Sequence, residues 1–157
     1  MIVAFTGHRP DKLGGYYPPN KTFNYITEEL TKILRELQPE KAISGMALGW
    51  DQWAAGVCIE LQIPFIAAVP FLGQEKVWPQ VSKDIYHALL KKAVETVIVC
   101  EGSYANWKMQ KRNEWMVDHC DKLIACYNGD LSGGTYNCVK YAQDQNKEII
   151  VINPNKA

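Results

Sequence analysis

The sequence has no excess of charge of either sign, because 17 Lys and Arg residues balance 17 Asp and Glu residues in 157 positions. Nucleic acids and anionic membranes attract proteins through surplus basic side chains, so nucleic acid is not an expected partner. No apolar run approaches the roughly 18 residues of a membrane span, and residues 1–5 are too short for a secretory signal. These absences predict a cytoplasmic protein, without membrane association, that holds any anion through local features.

Paired cysteines are also lacking. The cysteines are Cys58, Cys100, Cys120, Cys126 and Cys138. Their odd number and the absence of a Cys-x-x-Cys pair exclude the usual disulfide and zinc frameworks, and we expect buried thiols, no metal and no cofactor. The content of 47% hydrophobic and 22% charged residues is that of a globular protein, so residues 1–157 are interpreted as a single domain.

What the sequence does contain is an alternation of short apolar runs with helix-length segments. The runs cover residues 2–5, 42–44, 64–69, 96–100, 123–127 and 149–152. Such continuous runs are typical of strands buried on both faces of a parallel sheet. Helices are predicted over residues 23–37, 51–62, 80–92, 108–120 and 134–145. The pattern predicts an α/β fold with a Rossmann-like, doubly wound, mainly parallel sheet flanked by helices.

Glycine-rich segments follow two of the predicted strands, at residues 44–51 and 132–135. Ligands of open α/β sheets bind beyond the carboxyl ends of the strands, and both segments lead into helices whose free amides attract anions. We expect anion binding at both; simple turns with a capping hydroxyl are the alternative. Asp51 either complements its helix dipole or contacts a ligand hydroxyl or an arginine. Neither segment is a Walker or GxGxxG loop, which disfavours P-loop kinases and classical dinucleotide dehydrogenases.

Cationic side chains also fall near these strand ends. His8 and Arg9 follow the first strand, where Arg9 pairs with a phosphate or forms a surface salt bridge, and His8 binds ligand or stabilises the turn. Arg112 shares a helix face with Met109, Asn113 and Met116, and either lies at an amphipathic edge or directs its charge into a crevice. The other charged residues of this helix predict a solvated face: Lys108, Lys111, Glu114 and Asp118.

Together these features resemble the SLOG superfamily of DprA-type and LOG (Lonely Guy) proteins, and in particular its YpsA-like branch, found in Firmicutes and their phages. The resemblance is carried by Phe-Thr-Gly-His-Arg-Pro at residues 5–10, residues 44–51, the helix at 109–116, and Gly-Gly-Thr at 133–135. It implies a nucleotide or nucleotide-derived ligand whose phosphate faces residues 133–135. The implied ligand-binding residues are Thr6, Gly7, His8, Arg9, Ser44, Gly45, Met46, Gly49, Asp51, Arg112, Gly133, Gly134 and Thr135.

The resemblance leaves several functions open, of which small-molecule binding, as a sensor or sequestering protein, is the one we expect. The alternative is a LOG-like phosphoribohydrolase of nucleoside 5′-monophosphates, with Arg112 similar to the LOG arginine. The LOG glutamate has its counterpart in Cys138, a poor stabiliser of an oxocarbenium-like centre, so Glu101 or Asp51 would supply the carboxylate. Single-stranded DNA binding, as in DprA-type members, is a second alternative.

A homo-oligomer is also an open expectation. The region of Trp107, Trp115 and Met116 either buries against a second subunit, as LOG-type helices near the site do, or belongs to the core.

Overall fold

A computed structural model of the protein describes residues 1–15 and 18–157. The strands are β1 (Ile2–Gly7), β2 (Lys41–Ser44), β3 (Phe65–Val69), β4 (Glu95–Ile98), β5 (Lys122–Cys126) and β6 (Glu148–Ile152). They alternate with α1 (Lys21–Leu37), α2 (Trp50–Glu60), α3 (Gln80–Lys92), α4 (Asn106–Asp118) and α5 (Gly134–Asp144). Two 3₁₀ turns, Pro10–Lys12 and Pro154–Lys156, complete the described elements.

The strands form one six-stranded sheet in the order β4-β3-β2-β1-β5-β6, and every neighbouring pair is parallel. The helices α1, α2 and α3 cover one face, while α4 and α5 cover the other. The predicted α/β, doubly wound fold is confirmed. Since the chain runs from β1 outward to β4 and then returns to β5 on the other side of β1, the strand order reverses between β1 and β5. A doubly wound sheet opens its ligand crevice at such a reversal.

Local sequence signals set the first helix. The Asn20 side chain accepts a hydrogen bond from the Phe23 amide at 2.9 Å and caps α1 at its start. The residues Ile26, Leu30 and Leu34 then form its buried stripe at helical spacing. The helix ends at Gln38, whose φ of 47° is left-handed.

One expectation was wrong at the two edges of the sheet. The edge strands are not buried on both faces, since Glu95, Thr96 and Ile98 of β4 and Glu148 and Val151 of β6 are exposed. The final strands of a sheet have a neighbour on one side only, and fewer helices cover them. Residues 14–20, with two tyrosines and two prolines, predict a long surface loop, and residues 70–79 between β3 and α3 form a further long connection that no sequence pattern indicated.

Other expectations concern two tyrosines, the cysteines, membrane-spanning helices and metal-binding groups. Tyr16 and Tyr17 of the predicted loop lie outside the described residues. All cysteines are free, and only Cys100 among them is not buried. Within residues 1–15 and 18–157, the helices are too short or too polar to cross a membrane. The same residues include no group of three or more His, Cys, Asp or Glu side chains arranged to hold a metal.

Candidate functional site

A crevice of about 240 Å³ opens where the strand order reverses, beyond the ends of β1 and β5. Nine of the predicted ligand-binding residues line it: Thr6, Gly7, His8, Arg9, Asp51, Arg112, Gly133, Gly134 and Thr135. The wall is completed by residues outside that prediction: Asp11, Lys12, Ala47, Met109, Asn113 and Ser132. The fold therefore brings together segments that are more than 120 residues apart in the sequence.

The guanidinium of Arg112 reaches the crevice from α4 and is 4% exposed. Its Nη1 donates to the carbonyls of Gly45 at 2.6 Å and Ala68 at 3.4 Å, and its Nε donates to Asn113 Oδ1 at 3.3 Å. Burial lowers the pKa of Arg112, and the nearby Asp51 opposes that change. In the described part of the chain, Nη2 has no partner and no carboxylate oxygen is within ion-pair distance. A buried guanidinium without a contacting carboxylate favours binding of an anionic ligand.

Asp51 is the buried carboxyl group of the crevice. Its Oδ2 accepts a hydrogen bond from the Ala47 amide at 3.3 Å, and its carbonyl accepts one from Ser44 Oγ at 2.7 Å. Burial raises the pKa of Asp51, whereas Arg112 and Arg9 act in the opposite direction. Its Oδ1 has no partner in residues 1–15 and 18–157, and so can accept a hydrogen bond from a ligand hydroxyl.

His8 lines the crevice with a neutral imidazole. Its Nε2 accepts a hydrogen bond from the Asn128 amide at 3.0 Å, which places the ring proton on Nδ1. Burial lowers the pKa of His8. The ring lies 5.9 Å from that of Tyr127, and the His8 carbonyl accepts from the Trp50 amide at 3.3 Å. His8 thus stabilises two loops and also presents a ring edge to the crevice.

The glycine turn before α5 is open to the crevice. Gly133 precedes the helix with a φ of 98°, a left-handed conformation that favours glycine, and no side chain of the described residues caps the helix. A Cβ added to Gly133 or Gly134 would have no atom of residues 1–15 or 18–157 within 4 Å. The first amides of α5 lack helical partners, so together with the helix dipole they make this side of the crevice electropositive.

Cys138 lies one turn further along α5 and is inaccessible. Burial raises its pKa to about 12. At neutral pH the thiol is therefore uncharged, and it is not among the residues that line the crevice.

Four of the predicted ligand-binding residues lie behind the crevice wall instead of lining it: Ser44, Gly45, Met46 and Gly49. A Cβ on Gly45 would be 2.5 Å from Arg112 Nη1, and one on Gly49 would be 2.8 Å from the His8 carbonyl. Both glycines are thus required by close contacts within the chain. Met46 is fully buried. The structure places this segment as a support for Arg112 and His8.

Glu101, which the sequence offered as a carboxylate, is exposed and does not line the crevice. Its carbonyl, like that of Ser103, accepts a hydrogen bond from Lys108 Nζ at 2.5 Å. Lys108 was wrongly assigned to a solvated face: it is 6% exposed, with Nζ 5.9 Å from the Phe71 ring centre and 5.6 Å from that of Trp107. The two carbonyls and two rings replace the water that the ammonium loses.

Sequence reasoning overlooked several residues near the crevice. Lys12 forms a 2.7 Å ion pair with Asp130, linking the loops after β1 and β5, and its position three residues after Arg9 was the available signal. Gln74 contacts the support segment from residues 70–79, where no motif indicated a role. Of the residues offered for a subunit contact, Met116 is 1% exposed and belongs to the core, whereas Trp107 is 59% exposed.

Known proteins share this architecture. The chain is 36% identical over 145 residues to the SPbeta prophage-derived protein YoqJ of Bacillus subtilis, covering 79% of this chain and 84% of that protein. The structure is similar to DprA from Streptococcus pneumoniae, with a TM-score of 0.67 and 16% identity over 96% of this chain. DprA from Helicobacter pylori, described for its single-stranded DNA binding mode, gives a TM-score of 0.70 and 20% identity over 98%.

A third solved structure is the molybdenum cofactor carrier protein of Chlamydomonas reinhardtii, with a TM-score of 0.59 and 14% identity over 96% of this chain and 74% of that one. The chain spans 50% of the Streptococcus DprA chain and 65% of the Helicobacter one. At such identities the three structures show a shared fold. The model of a family described as YspA SLOG matches residues 3–157, which confirms the resemblance seen in the sequence. The protein belongs to the YspA SLOG family.

Proposed function

We propose that the crevice binds a nucleotide or nucleotide-derived small molecule, and that the protein acts as a sensor or sequestering protein for it. The observation that carries the proposal is the buried Arg112 guanidinium, which has no contacting carboxylate in the described residues and opens onto the same crevice as the uncapped start of α5. A phosphate between them would accept hydrogen bonds from Nη2 and from the amides at Gly134 and Thr135.

The other polar groups of the crevice support a ligand that carries hydroxyl groups beside its phosphate. Asp51 Oδ1 accepts hydrogen bonds, and a ribose supplies hydroxyl donors for it. The crevice of about 240 Å³ is smaller than the roughly 300 to 1,000 Å³ of pockets that enclose drug-sized ligands. The phosphate and sugar would therefore occupy the crevice, while the base extends beyond it.

A second candidate function is hydrolysis of the N-glycosidic bond of a nucleoside monophosphate. It is favoured by Asp51, which stands in the crevice at a distance where it still affects the pKa of Arg112. In this alternative Arg112 binds the phosphate or sugar, Asp51 stabilises the positive charge that develops on the sugar, and water replaces the departing base. Neither Cys138 nor Glu101 lines the crevice, which leaves Asp51 as its buried carboxyl group.

The test is ligand binding by a panel of nucleoside 5′-monophosphates, ADP-ribose, the matching nucleosides and inorganic phosphate. We expect a monophosphate to raise the melting temperature as linkage requires, and its nucleoside to have no such effect. Arg112→Lys removes the planar fork and abolishes the stabilisation, while Arg35→Lys, on the exposed surface of α1, leaves it intact. If no compound in the panel stabilises the protein at saturating concentration, the proposal is wrong.

Two further measurements separate the functions. Chromatography of the incubated monophosphates reveals released base if the protein is a hydrolase, and Arg112→Lys and Asp51→Asn then abolish the release. A titration of single-stranded DNA at moderate salt, followed by gel shift, tests the activity described for the Helicobacter structure. Binding of a monophosphate without base release or DNA retardation is the result that we expect.

A further inference from the structure

Gln74 is a buried polar residue that the proposed function does not use. It lies in the connection between β3 and α3 and is 7% exposed, although the preceding Leu72 is 79% exposed. Gly73 between them has a φ of 92°, a left-handed conformation that turns the chain back and inserts Gln74 beneath the loop. A buried amide is costly unless it is hydrogen-bonded, so its partners indicate why it is placed there.

The partners of Gln74 lead to the crevice. Its Nε2 donates to the Gly45 carbonyl at 3.2 Å and to Tyr86 Oη at 3.4 Å. The same Gly45 carbonyl accepts the 2.6 Å hydrogen bond from Arg112 Nη1. One oxygen therefore receives two donors, Gln74 from the α3 side and Arg112 from the α4 side. Both lone pairs of the carbonyl are occupied, which fixes its direction.

The surroundings hold Gln74 in place. Tyr86 is 2% exposed, and its ring meets Trp78 edge to face at 5.2 Å. Trp78 closes the same connection, since its amide donates to the Glu75 carbonyl at 2.9 Å. Two bulky aromatic rings thus restrict the loop from which Gln74 reaches the Gly45 carbonyl.

We propose that Gln74 is a positioning residue for the anion site: by fixing the Gly45 carbonyl, it holds Nη1 of Arg112 on the backbone and directs Nη2 into the crevice. The proposal rests on the proposed function for its consequence in binding, but the geometry of Arg112 can be measured without any ligand. Gly45 contributes by having no side chain, because a Cβ there would be within 3 Å of the guanidinium.

The test compares Gln74→Met with Gln52→Met. The control is closely matched, since Gln52 is 6% exposed and its Nε2 donates to the neighbouring Met46 carbonyl at 3.2 Å, a carbonyl that Arg112 does not share. Isotope-labelled arginine gives three Nε–Hε resonances, from Arg9, Arg35 and Arg112. In the free protein we expect Gln74→Met to shift the Arg112 resonance and speed its hydrogen exchange, and Gln52→Met to change neither.

The second measurement is affinity for AMP. Gln74→Met should weaken binding about tenfold, the order that removing an outer partner costs in metal sites. Gln52→Met should leave it unchanged.

Each outcome decides the proposal. An unchanged Arg112 resonance in Gln74→Met, or an equal change in Gln52→Met, overturns it. If Gln74→Met does not fold, Tyr86→Phe, which removes only the second partner of Gln74, must produce a smaller shift of the Arg112 resonance in the same direction. If AMP fails to bind the wild-type protein while the Arg112 resonance responds as expected, the positioning role stands and the proposed ligand class fails.

Discussion

The two glycine-rich segments of this protein look alike in sequence and differ in structure. Each follows a strand, contains two glycines and leads into a helix that starts at the carboxyl edge of the sheet. In residues 44–51 the polar groups are used within the chain: the Gly45 carbonyl binds Arg112 and the Ala47 amide binds Asp51. In residues 132–135 the glycines have open space around them. Apart from Ala47 and Asp51, which line the crevice, the first segment supports it, and the second faces it.

The difference shows that the role of a glycine in such a loop depends on which atoms an added Cβ would contact. Gly45 is explained by a guanidinium 2.5 Å from the position of a Cβ. Gly134 has no such neighbour, and its φ is not left-handed, so neither packing nor backbone conformation accounts for it. The ligand proposed above would account for glycine at that position, because it could approach the backbone closely.

The largest effect is expected from Gly45→Ala. The new methyl would overlap the Arg112 guanidinium, which cannot move without breaking its 2.6 Å hydrogen bond to the Gly45 carbonyl. We expect the free energy of unfolding to fall by about 1 to 3 kcal/mol, as for other overpacked interiors, and AMP affinity to fall with it. Urea unfolding and an AMP titration measure the two effects. A variant with wild-type stability and affinity would show that residues 44–51 do not position Arg112.

Gly134→Ala is the opposite case. The methyl meets no atom of the described residues, so the free energy of unfolding should stay within about 0.5 kcal/mol of wild type. It would instead project where the anion approaches the first amides of α5, and we expect AMP affinity to fall about tenfold, equivalent to ~1.4 kcal/mol. Asn137→Ala, on the exposed surface of the same helix, is the matched control and should leave AMP affinity unchanged. Equal affinity in wild type and Gly134→Ala would remove α5 from the site.

The sequence contained enough to predict the sheet, the helices and the edge at which the site lies, because apolar runs and helical spacing are local patterns. Arg112 and Asp51 could be proposed because strand ends and helix faces are also local. Gln74 could not be proposed, because its hydrogen-bond partner, the Gly45 carbonyl, lies 29 positions away in the sequence and no local pattern connects the two residues. Lys108 was misjudged for the same reason. Its charge predicted a solvent-exposed side chain, but in the folded loop two backbone carbonyls replace the water around its ammonium group.

Asp51→Asn is expected to have a smaller effect and to test charge at the crevice. Burial raises the pKa of Asp51, so acidification protonates it more readily in the folded protein than in the unfolded chain. The wild-type free energy of unfolding should therefore gain as pH falls through the folded-state pKa, and the Asn variant should lack that gain. The charged or titratable groups that act on this carboxyl group or respond to it are Arg112, Arg9, Cys126 and Cys138.

The same variant should change the affinities for sulfate and for AMP in opposite directions. Ionised Asp51 repels sulfate, so sulfate should bind wild type more tightly as acidification protonates Asp51, and Asp51→Asn should bind it a few-fold, about 0.5 to 1 kcal/mol, more tightly than wild type while Asp51 is ionised. AMP should bind the variant less well, because the amide is a weaker acceptor for a sugar hydroxyl. His8 also gains positive charge on acidification in both proteins. The contribution of Asp51 is therefore the difference between the sulfate affinities of wild type and Asp51→Asn at each pH. Identical sulfate profiles would place Asp51 outside the anion's reach.

The smallest effect is expected from Gly56→Ala, which tests whether size identifies the ligand site. A groove of about 670 Å³ crosses α2 between α1 and α3, larger than the crevice, and Gly56 lies on its floor with no atom within 4 Å of an added Cβ. Alanine in a helix interior should raise the free energy of unfolding by up to about 1 kcal/mol. AMP affinity should not change, because none of the described residues that line the groove is a buried cation comparable to Arg112. If Gly56→Ala weakens AMP binding as strongly as Gly134→Ala, the nucleotide occupies the groove. Ligand contact then no longer explains the glycines at the start of α5.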